Sequence, residues 1–207
     1  MNLTKLQYRI YKFYLGTTFA ALILSVPLAF ILPVEVSFEN GILENAQVVI
    51  LILAALLIIF FSSSDAQLKC FNGLFASFLI LIAFRELSWG RVFFPIDVEK
   101  LGYVFVSMAN YKYRVQVYIF LAAYILAMIF VLVRFVPVKR ILLSSQPLAA
   151  FAVIFMAGIF SYIGDHGIFI GKECGQILEE LEELILYLTL PVINFYYTTQ
   201  QKNPLPR

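Results

Sequence analysis

Residues 175–194 decide the fold of this chain and read Gly-Gln-Ile-Leu-Glu-Glu-Leu-Glu-Glu-Leu-Ile-Leu-Tyr-Leu-Thr-Leu-Pro-Val-Ile-Asn. At about 100° per residue, the spacing of an α-helix, most polar residues fall on one side and most leucines on the other. The stretch therefore predicts a helix that begins with acidic residues and continues a polar stripe into an apolar region. Carboxylates at the edge of a membrane are costly and usually have a function. The polar side is formed by Gln176, Glu179, Glu180, Glu183, Tyr187 and Asn194.

The composition of the whole chain predicts an integral membrane protein. Of its 207 residues, 62% are hydrophobic and only 14% are charged, and the mean hydropathy is +0.89. Soluble domains are closer to about half apolar and about a quarter charged. A formal net charge of +2 without a basic run argues against nucleic-acid binding. The lipid bilayer is therefore the predicted surrounding of most of the chain.

Six segments are candidates for helices that cross a bilayer. Four of them are free of charge for about the length that a bilayer needs, whereas the third and the sixth must include charged residues. We therefore predict an all-α fold, a bundle of six transmembrane helices in a single membrane domain over residues 1–207. The predicted spans are residues 13–34, 44–64, 69–89, 115–134, 143–164 and 176–197.

The distribution of charge predicts how the bundle is oriented. With six spans both termini lie on one side, and placing them in the cytoplasm puts nine Lys and Arg residues inside and six outside. The same orientation puts every acidic residue except Asp65 outside. We therefore expect a multi-pass protein of the bacterial inner (plasma) membrane, with cytoplasmic N- and C-termini and an acidic outer face.

The third outer loop, residues 92–114, is too long for a simple turn. Pro95-Ile96-Asp97 offers a helix start in which Asp97 is the N-cap. Apolar residues then recur at helical spacing, which predicts a short amphipathic helix on the outer surface, as an interfacial anchor or a lid over a site. These residues are Leu101, Val104, Phe105 and Met108.

Glu86 lies at the predicted end of the third span, within Arg85-Glu86-Leu87-Ser88-Trp89-Gly90-Arg91. A carboxylate there faces the negative end of the helix dipole, so it needs a cation, a proton or a metal ion. Arg85 and Arg91 are the nearest cations, but Arg85 is adjacent in the chain and should point about 100° away. Trp89 is typical of an interfacial anchor.

Glu44 and His166 are candidates for which a structural explanation is also available. Asn40-Gly41 predicts a turn before the second span, which places Glu44 in the first helical turn. The helix dipole stabilises a glutamate there by about 0.3–1 kcal/mol, so its role stays open. His166 is the only histidine, and an exposed loop histidine usually has no function, although its predicted side of the membrane is that of the glutamates.

The motifs resemble those of a widespread group of small bacterial polytopic membrane proteins. That group has E-D-G-x-x-E before one helix, E-E-x-S-W-G-Q after the next, and a glutamate-rich start to the last. Asn40, Arg85 and Arg91 depart from the pattern, and arginine in place of an acid or amide weakens the argument for a shared metal chemistry. The resemblance implies a common site but no particular activity. Matching positions are Glu39, Gly41, Glu44, Glu86, Ser88, Trp89, Gly90, Glu180 and Glu183.

Three acidic clusters are thus predicted at one membrane face, on three helices. If these helices are neighbours, Glu44, Glu86, Glu180 and Glu183 meet. Carboxylates in a low dielectric cannot all stay ionised and unpaired, so protons, arginines or a divalent cation must compensate them. Carboxylate ligands favour Mg²⁺, Ca²⁺ or Mn²⁺, and His166 would admit Zn²⁺.

Three functions fit this pattern, and we favour the first. It is a non-enzymatic sensor, immunity/defence or scaffold component. Its acidic face binds a membrane or soluble protein partner or a second copy of the chain, or it holds the bundle together through Glu–Arg pairs. The second is a membrane-embedded enzyme, metal-dependent or not, that acts on a lipid or lipid-linked substrate with Glu86 or Glu180 as general acid/base. The third is a proton or cation transporter or channel that uses the polar stripe of Gln176, Glu183, Tyr187 and Asn194.

Overall fold

The structure is a computed structural model that describes residues 3–62, 65–99 and 102–202, and nearly all of them are helical. The predicted all-α character is therefore correct, with one β-hairpin as the exception. Short 3₁₀ segments follow three of the elements, at Val34–Ser37, Ser88–Phe93 and Met108–Asn110. The elements are α1 (Leu3–Ile31), α2 (Ile42–Phe60), α3 (Ala66–Glu86), β1 (Pro95–Glu99), β2 (Gly102–Phe105), α4 (Arg114–Phe135), α5 (Val138–Leu142), α6 (Leu148–Asp165) and α7 (Lys172–Lys202).

Five helices of the described chain are long and apolar enough to cross a membrane, and they match the first five predicted spans. α7 occupies the place of the predicted sixth span and is 31 residues long, but it is not one of the five. Its cluster of glutamates lowers the hydropathy of its first half. The count of six spans and the orientation of the termini stay predictions. The five segments are Tyr11–Ile31, Ile42–Phe60, Ala66–Glu86, Arg114–Phe135 and Leu148–Asp165.

Local sequence explains where several helices begin. Gly41 is the N-cap of α2, as the Asn40-Gly41 turn signal predicts. The Asp65 side chain caps α3 by accepting the backbone N–H groups of Gln67 at 2.8 Å and Leu68 at 3.0 Å. The next-to-last long helix, α6, begins directly after Pro147 rather than at residue 143, because proline is favoured at a helix start and not within a helix.

The helices fall into two compact units. The terminal unit consists of the described residues of Met1–Ser37 and Lys139–Arg207, and it contains α1, α6 and α7. The central unit is Phe38–Val138, and it contains α2, α3, the β-hairpin and α4. The organisation of the whole chain as a single membrane domain stays a prediction.

In the terminal unit, α7 packs against both α1 and α6. Leu22, Val153, Ala157 and Ile185 form a buried core among the three helices. α6 and α7 approach most closely where two glycines meet, because a Cβ atom on Gly164 would lie only 2.6 Å from the carbonyl oxygen of Gly175. Small residues at such contacts let membrane helices approach backbone to backbone.

In the central unit, α3 packs against α2 on one side and α4 on another. The hydroxyl group of Tyr124 in α4 donates a hydrogen bond to the carbonyl oxygen of Ser77 in α3, at 3.1 Å. α4 itself has no buried residue, so its apolar side chains are open to their surroundings all along its length. Such a helix, hydrophobic all round and exposed, suits a lipid environment.

The segment predicted as an amphipathic surface helix is a β-hairpin, so that prediction was wrong. β1 and β2 pair antiparallel, with Asp97 opposite Val104, and Asp97 therefore caps no helix. The helical spacing rested on four apolar residues, of which Leu101 lies outside the described residues. The surrounding β-branched and aromatic residues favour strands instead. They are Ile96, Val98, Tyr103, Val104 and Phe105.

Candidate functional site

The most unusual backbone of the central unit is the turn that follows α3. Ser88, Trp89 and Gly90 have φ angles of 46°, 56° and 85°, so three successive residues adopt the left-handed conformation. This conformation costs about 1–2 kcal/mol for each residue that carries a Cβ atom, so the turn is strained at Ser88 and Trp89. Strain of this kind is concentrated at functional sites. We therefore regard this left-handed turn, Ser88–Gly90, as the candidate site.

Arg91 and Glu39 hold the left-handed turn in place. The Arg91 guanidinium donates from Nε to the carbonyl oxygen of Ser88 at 3.2 Å and from Nη1 to that of Val106 at 3.0 Å. Its Nη2 atom lies 4.0 Å from Oε1 of Glu39, and the Ser88 hydroxyl donates to the same oxygen at 3.1 Å. One planar guanidinium thus contacts the loop before α2 at Glu39, the turn after α3 at Ser88, and the residue that follows β2, Val106.

Glu86 is buried at the end of α3 beside an arginine. Only 6% of its surface is exposed, and Nη1 of Arg85 lies 3.0 Å from its Oε1 atom. The expectation that Arg85 points away from Glu86 was therefore wrong. The arginine side chain is long and flexible enough to fold around the helix end, and a cation there is also favoured by the helix dipole.

Glu44 has a structural role at the start of α2. Its carboxylate accepts the backbone N–H of Asn40, whose φ angle is 60°. The Asn45 side-chain amide donates to the carbonyl oxygens of Gly41 at 2.7 Å and Asn40 at 2.9 Å. The bond to Glu44 pairs a backbone N–H group just before the helix, and the Asn45 amide adds a second donor to the Gly41 carbonyl oxygen, which also accepts the Asn45 backbone N–H.

An aromatic cluster lies beside the left-handed turn. Tyr111 is buried, and its ring centroid lies 6.1 Å from that of Phe94 and 5.7 Å from that of Tyr113. A Cβ atom added to Gly90 would lie 3.5 Å from the Tyr111 hydroxyl oxygen. This cluster was not predicted from the sequence, although the many aromatic residues between 93 and 113 indicate that aromatic side chains could pack together there.

The predicted polar stripe lies on α7 in the terminal unit. Tyr187 and Asn194 are each only 3% exposed. The Tyr187 hydroxyl donates to Oε2 of Glu183 at 3.4 Å, and the Gln176 amide donates to the carbonyl oxygen of Ser37 at 3.1 Å. Glu180, like Glu183, is half-buried. The stripe therefore contains both buried groups and groups that are open to solvent.

His166 caps the end of α6 and is engaged locally. Its Nδ1 atom lies 3.0 Å from the carbonyl oxygen of Tyr162 and 3.4 Å from Oδ2 of Asp165. Its ring centroid lies 4.2 Å from that of Tyr162. These contacts are those of an ordinary helix end.

Glu182 is the most deeply buried acidic residue described, and it was not among the predicted site residues. It is 0% exposed, and its Oε1 atom lies 2.5 Å from the hydroxyl oxygen of Ser25 in α1. Its Oε2 atom has no hydrogen-bond partner in the part of the chain that the structure describes. The signal was present, because Glu182 falls on the side of the helix that carries Leu178 and Ile185, apart from the other glutamates.

The structure joins Glu39 with Ser88 and Arg91, and Glu86 with Arg85. The glutamates predicted to meet belong to both units, so their meeting stays a prediction. Across residues 3–62, 65–99 and 102–202, no group of three or more His, Cys, Asp or Glu side chains is arranged to hold a metal ion. The metal-ligand candidates Glu44, Glu86, His166, Glu180 and Glu183 stay predictions.

Comparison with known proteins adds no family to this description. No family model, curated protein or solved structure matches the chain. The resemblance to small bacterial polytopic membrane proteins therefore stays a prediction. Fold and site together define a class only, a helical protein with five helices that are able to cross a membrane.

Proposed function

We propose that this protein is a non-enzymatic component of the bacterial inner membrane, of the sensor, immunity/defence or scaffold type. In this proposal both termini are cytoplasmic and the left-handed turn lies on the extracytoplasmic face. The five apolar helices support the membrane location. The excess of Lys and Arg in the segments assigned to the inside, nine against six, supports the orientation.

The observation that carries the proposal is that arginines accompany the carboxylates around the turn. Glu86 has Arg85 at 3.0 Å, and Glu39 has the Ser88 hydroxyl at 3.1 Å and Arg91 at 4.0 Å. A general base must reach the substrate proton with a free oxygen lone pair. Carboxylates that are held by arginine and hydroxyl donors are better suited to fixing the shape of a surface.

The surface fixed in this way presents Trp89, which suits recognition of a protein partner. Tryptophan and arginine are the residue types that most often dominate the energy of protein interfaces. Trp89 is half-buried in the strained turn, directly before Gly90, at which an added Cβ atom would lie 3.5 Å from the hydroxyl oxygen of Tyr111 in the aromatic cluster. We propose that a membrane or soluble protein partner, or a second copy of this chain, binds there.

A double-mutant cycle on Glu39 and Arg91 tests the structural part of the proposal. Glu39→Gln, Arg91→Gln and the double variant are purified in detergent, and the free energy of unfolding is measured. The single changes should each destabilise, with a coupling energy of about 0.5–1 kcal/mol between them. Glu35→Gln is the matched control, because Glu35 is an exposed glutamate just before the same loop and should change stability little.

Two results would contradict the proposal. The first is a set of variants that fold as stably as the wild type but lose the cellular phenotype, which would favour an enzyme or a transporter. The second is an increase in melting temperature on addition of Mg²⁺, Ca²⁺, Mn²⁺ or Zn²⁺, because a ligand that binds the folded state stabilises it. We expect no such increase.

A further inference from the structure

The contact between Glu182 and Ser25 places a carboxyl group inside the terminal unit. Glu182 is 0% exposed and Ser25 is 1% exposed. Ser25 lies in the apolar segment Tyr11–Ile31, one of the five candidate spans. Leu22 in α1 and Ile185 in α7, each three residues away in its helix, belong to the buried core. The carboxyl group therefore lies in an apolar environment without access to water.

The hydrogen bonds around Ser25 require one more hydrogen than the serine can supply. Its Oγ atom lies 2.5 Å from Oε1 of Glu182 and 2.7 Å from the carbonyl oxygen of Leu22. Both are hydrogen-bond distances between oxygens, but a serine hydroxyl has only one hydrogen to donate. A proton on Glu182 supplies the second, because the carboxylic acid then donates to Ser25 and Ser25 donates to Leu22.

The remaining oxygen of Glu182 is consistent with this arrangement. Oε2 is buried, and no group within residues 3–62, 65–99 and 102–202 forms a hydrogen bond with it. An ionised carboxylate oxygen in that position would lose its hydration without compensation, which is far more costly than burying the carbonyl oxygen of a neutral acid.

Within the described stretches of the terminal unit that pack around Glu182, the charged and titratable groups supply no opposite charge. α1 from Phe13 to Ile31 and α6 from Leu148 to Gly164 contain no Asp, Glu, Lys, Arg or His, and their titratable groups are Tyr14 and Tyr162. The 3₁₀ segment that packs on α7 contributes Glu35. The neighbours on α7 itself are glutamates, whose negative charge would only oppose a second one. They are Glu179, Glu180 and Glu183.

We propose that Glu182 and Ser25 form a proton-binding site within the terminal unit, in which Glu182 holds the proton and Ser25 relays the hydrogen bond to Leu22. The separation of 2.5 Å between the two oxygens suits a proton. A metal ion bonded to both oxygens at about 2.0–2.6 Å would hold them farther apart. The packing of α1 on α7 therefore depends on proton uptake. This site is separate from the left-handed turn, and the inference does not rest on the function proposed above.

Infrared spectroscopy of the full-length protein in detergent or liposomes tests the proposal directly. At neutral pH the wild type should show the carbonyl stretch of a protonated carboxylic acid. Glu182→Gln should lose this band, and Ser25→Ala should shift it, because the acid then loses its hydrogen-bond partner. Glu183→Gln is the matched control and should leave the band unchanged. If the band persists unchanged in both Glu182→Gln and Ser25→Ala, the proposal is wrong.

The pH dependence of unfolding is an independent test. At neutral pH an exposed glutamate of the unfolded chain has lost its proton, whereas folded Glu182 keeps one. The folded state thus binds more protons, so stability must fall as pH rises. The unfolding equilibrium constant of the wild type should rise by up to about tenfold per pH unit because of this one proton. The constant of Glu182→Gln should lack this contribution and therefore rise less steeply with pH. Equal pH dependence, or stabilisation by Na⁺ at constant pH, would overturn the proposal.

A variant that fails to fold does not prevent the test. If Glu182→Gln cannot be purified, Ser25→Ala retains the carboxyl group, and a shifted acid band in that variant supports the site. An unshifted band, or none in the wild type, contradicts it.

Discussion

The two units each bury a glutamate, and they accommodate it in different ways. Glu86 in the central unit is 6% exposed and has an arginine at 3.0 Å. Glu182 in the terminal unit is 0% exposed, and among the described residues it has the Ser25 hydroxyl beside one oxygen and no hydrogen-bond partner at the other. The arginine neutralises the charge of Glu86. By contrast, the hydrogen bonds around Glu182 are all satisfied only when the acid itself carries a proton. The same residue type therefore has opposite chemistry in the two units.

Position along the helix accounts for this difference. Glu86 is the last residue of α3, where the chain leaves the apolar region and a long arginine can reach the carboxylate while staying half in solvent. Glu182 lies within α7 and faces an apolar segment of α1 that offers no cation. A hydroxyl is the strongest donor that such a segment provides.

The largest loss of stability is expected from disrupting the close contact between α6 and α7, because this contact helps to fix the surroundings of Glu182. Gly164→Ala should reduce the free energy of unfolding by about 3 kcal/mol, because the new Cβ atom meets backbone atoms that cannot move aside. Those atoms are the Gly175 carbonyl oxygen at 2.6 Å and the Glu179 amide nitrogen at 2.8 Å. Denaturant unfolding in detergent measures the change.

Gly158→Ala is the control on the same helix. A Cβ atom there would meet nothing within 4 Å, so alanine should be neutral or slightly stabilising. If the two alanine variants are equally stable, the close approach of α6 and α7 does not stabilise the terminal unit and does not fix the geometry around Glu182.

A smaller effect is expected from removing the arginine beside Glu86. Arg85→Ala should cost about 1–3 kcal/mol, because a buried charged group loses one of its hydrogen bonds. Glu86→Gln should recover part of this loss in the double variant, since the amide carries no charge. Thermal unfolding of the three variants gives the coupling between the two sites.

Thermal unfolding of Glu182→Gln in the same experiment compares the two buried glutamates directly. The amide has the shape of a protonated acid and can donate to Ser25, so it should cost less than Arg85→Ala does. If Arg85→Ala changes nothing and Glu182→Gln unfolds the protein, the two carboxyl groups have been assigned the wrong way round.

The sequence predicted the parts of the fold that a single physical requirement determines. A bilayer demands about 20 apolar residues in a helix, so the runs that became five helices were recognisable. The start of α2 was equally clear, because Asn40-Gly41 favours a turn. By contrast, the few apolar residues of the third loop fit both a helix and two strands, and their β-branched character decided the outcome.

The candidate site was predictable only in part. Motif residues such as Glu39, Ser88 and Trp89 were identified, but the strain at the turn and the contacts of Arg91 follow from three-dimensional packing. Glu182 was missed because four neighbouring glutamates were treated as one acidic group, although helical geometry turns one of them towards α1. Two glycines are the only feature of the sequence that marks the contact between Gly164 and Gly175, so this contact could not be predicted from it.

The smallest effect concerns a third way of accommodating a carboxylate, in which it accepts a backbone N–H group at a helix start. Glu44 accepts the N–H of Asn40 at the start of α2. Glu44→Gln keeps an acceptor oxygen and loses only the favourable interaction of the charge with the helix dipole, so it should cost about 0.3–1 kcal/mol, and less in high salt. Glu44→Ala also loses the hydrogen bond, so it should cost about 1 kcal/mol more than Glu44→Gln, and this additional cost should be the same at either salt concentration.

Unfolding of both variants at low and high salt separates the charge from the hydrogen bond. Asp65→Asn and Asp65→Ala are the matched pair at α3, where the same group accepts two backbone N–H groups. If Glu44→Gln instead abolishes a cellular phenotype without a change in stability, Glu44 does more than begin a helix. The central unit would then contain, besides Glu86, a second carboxylate, Glu44, whose charge serves the function of the protein and not only its stability.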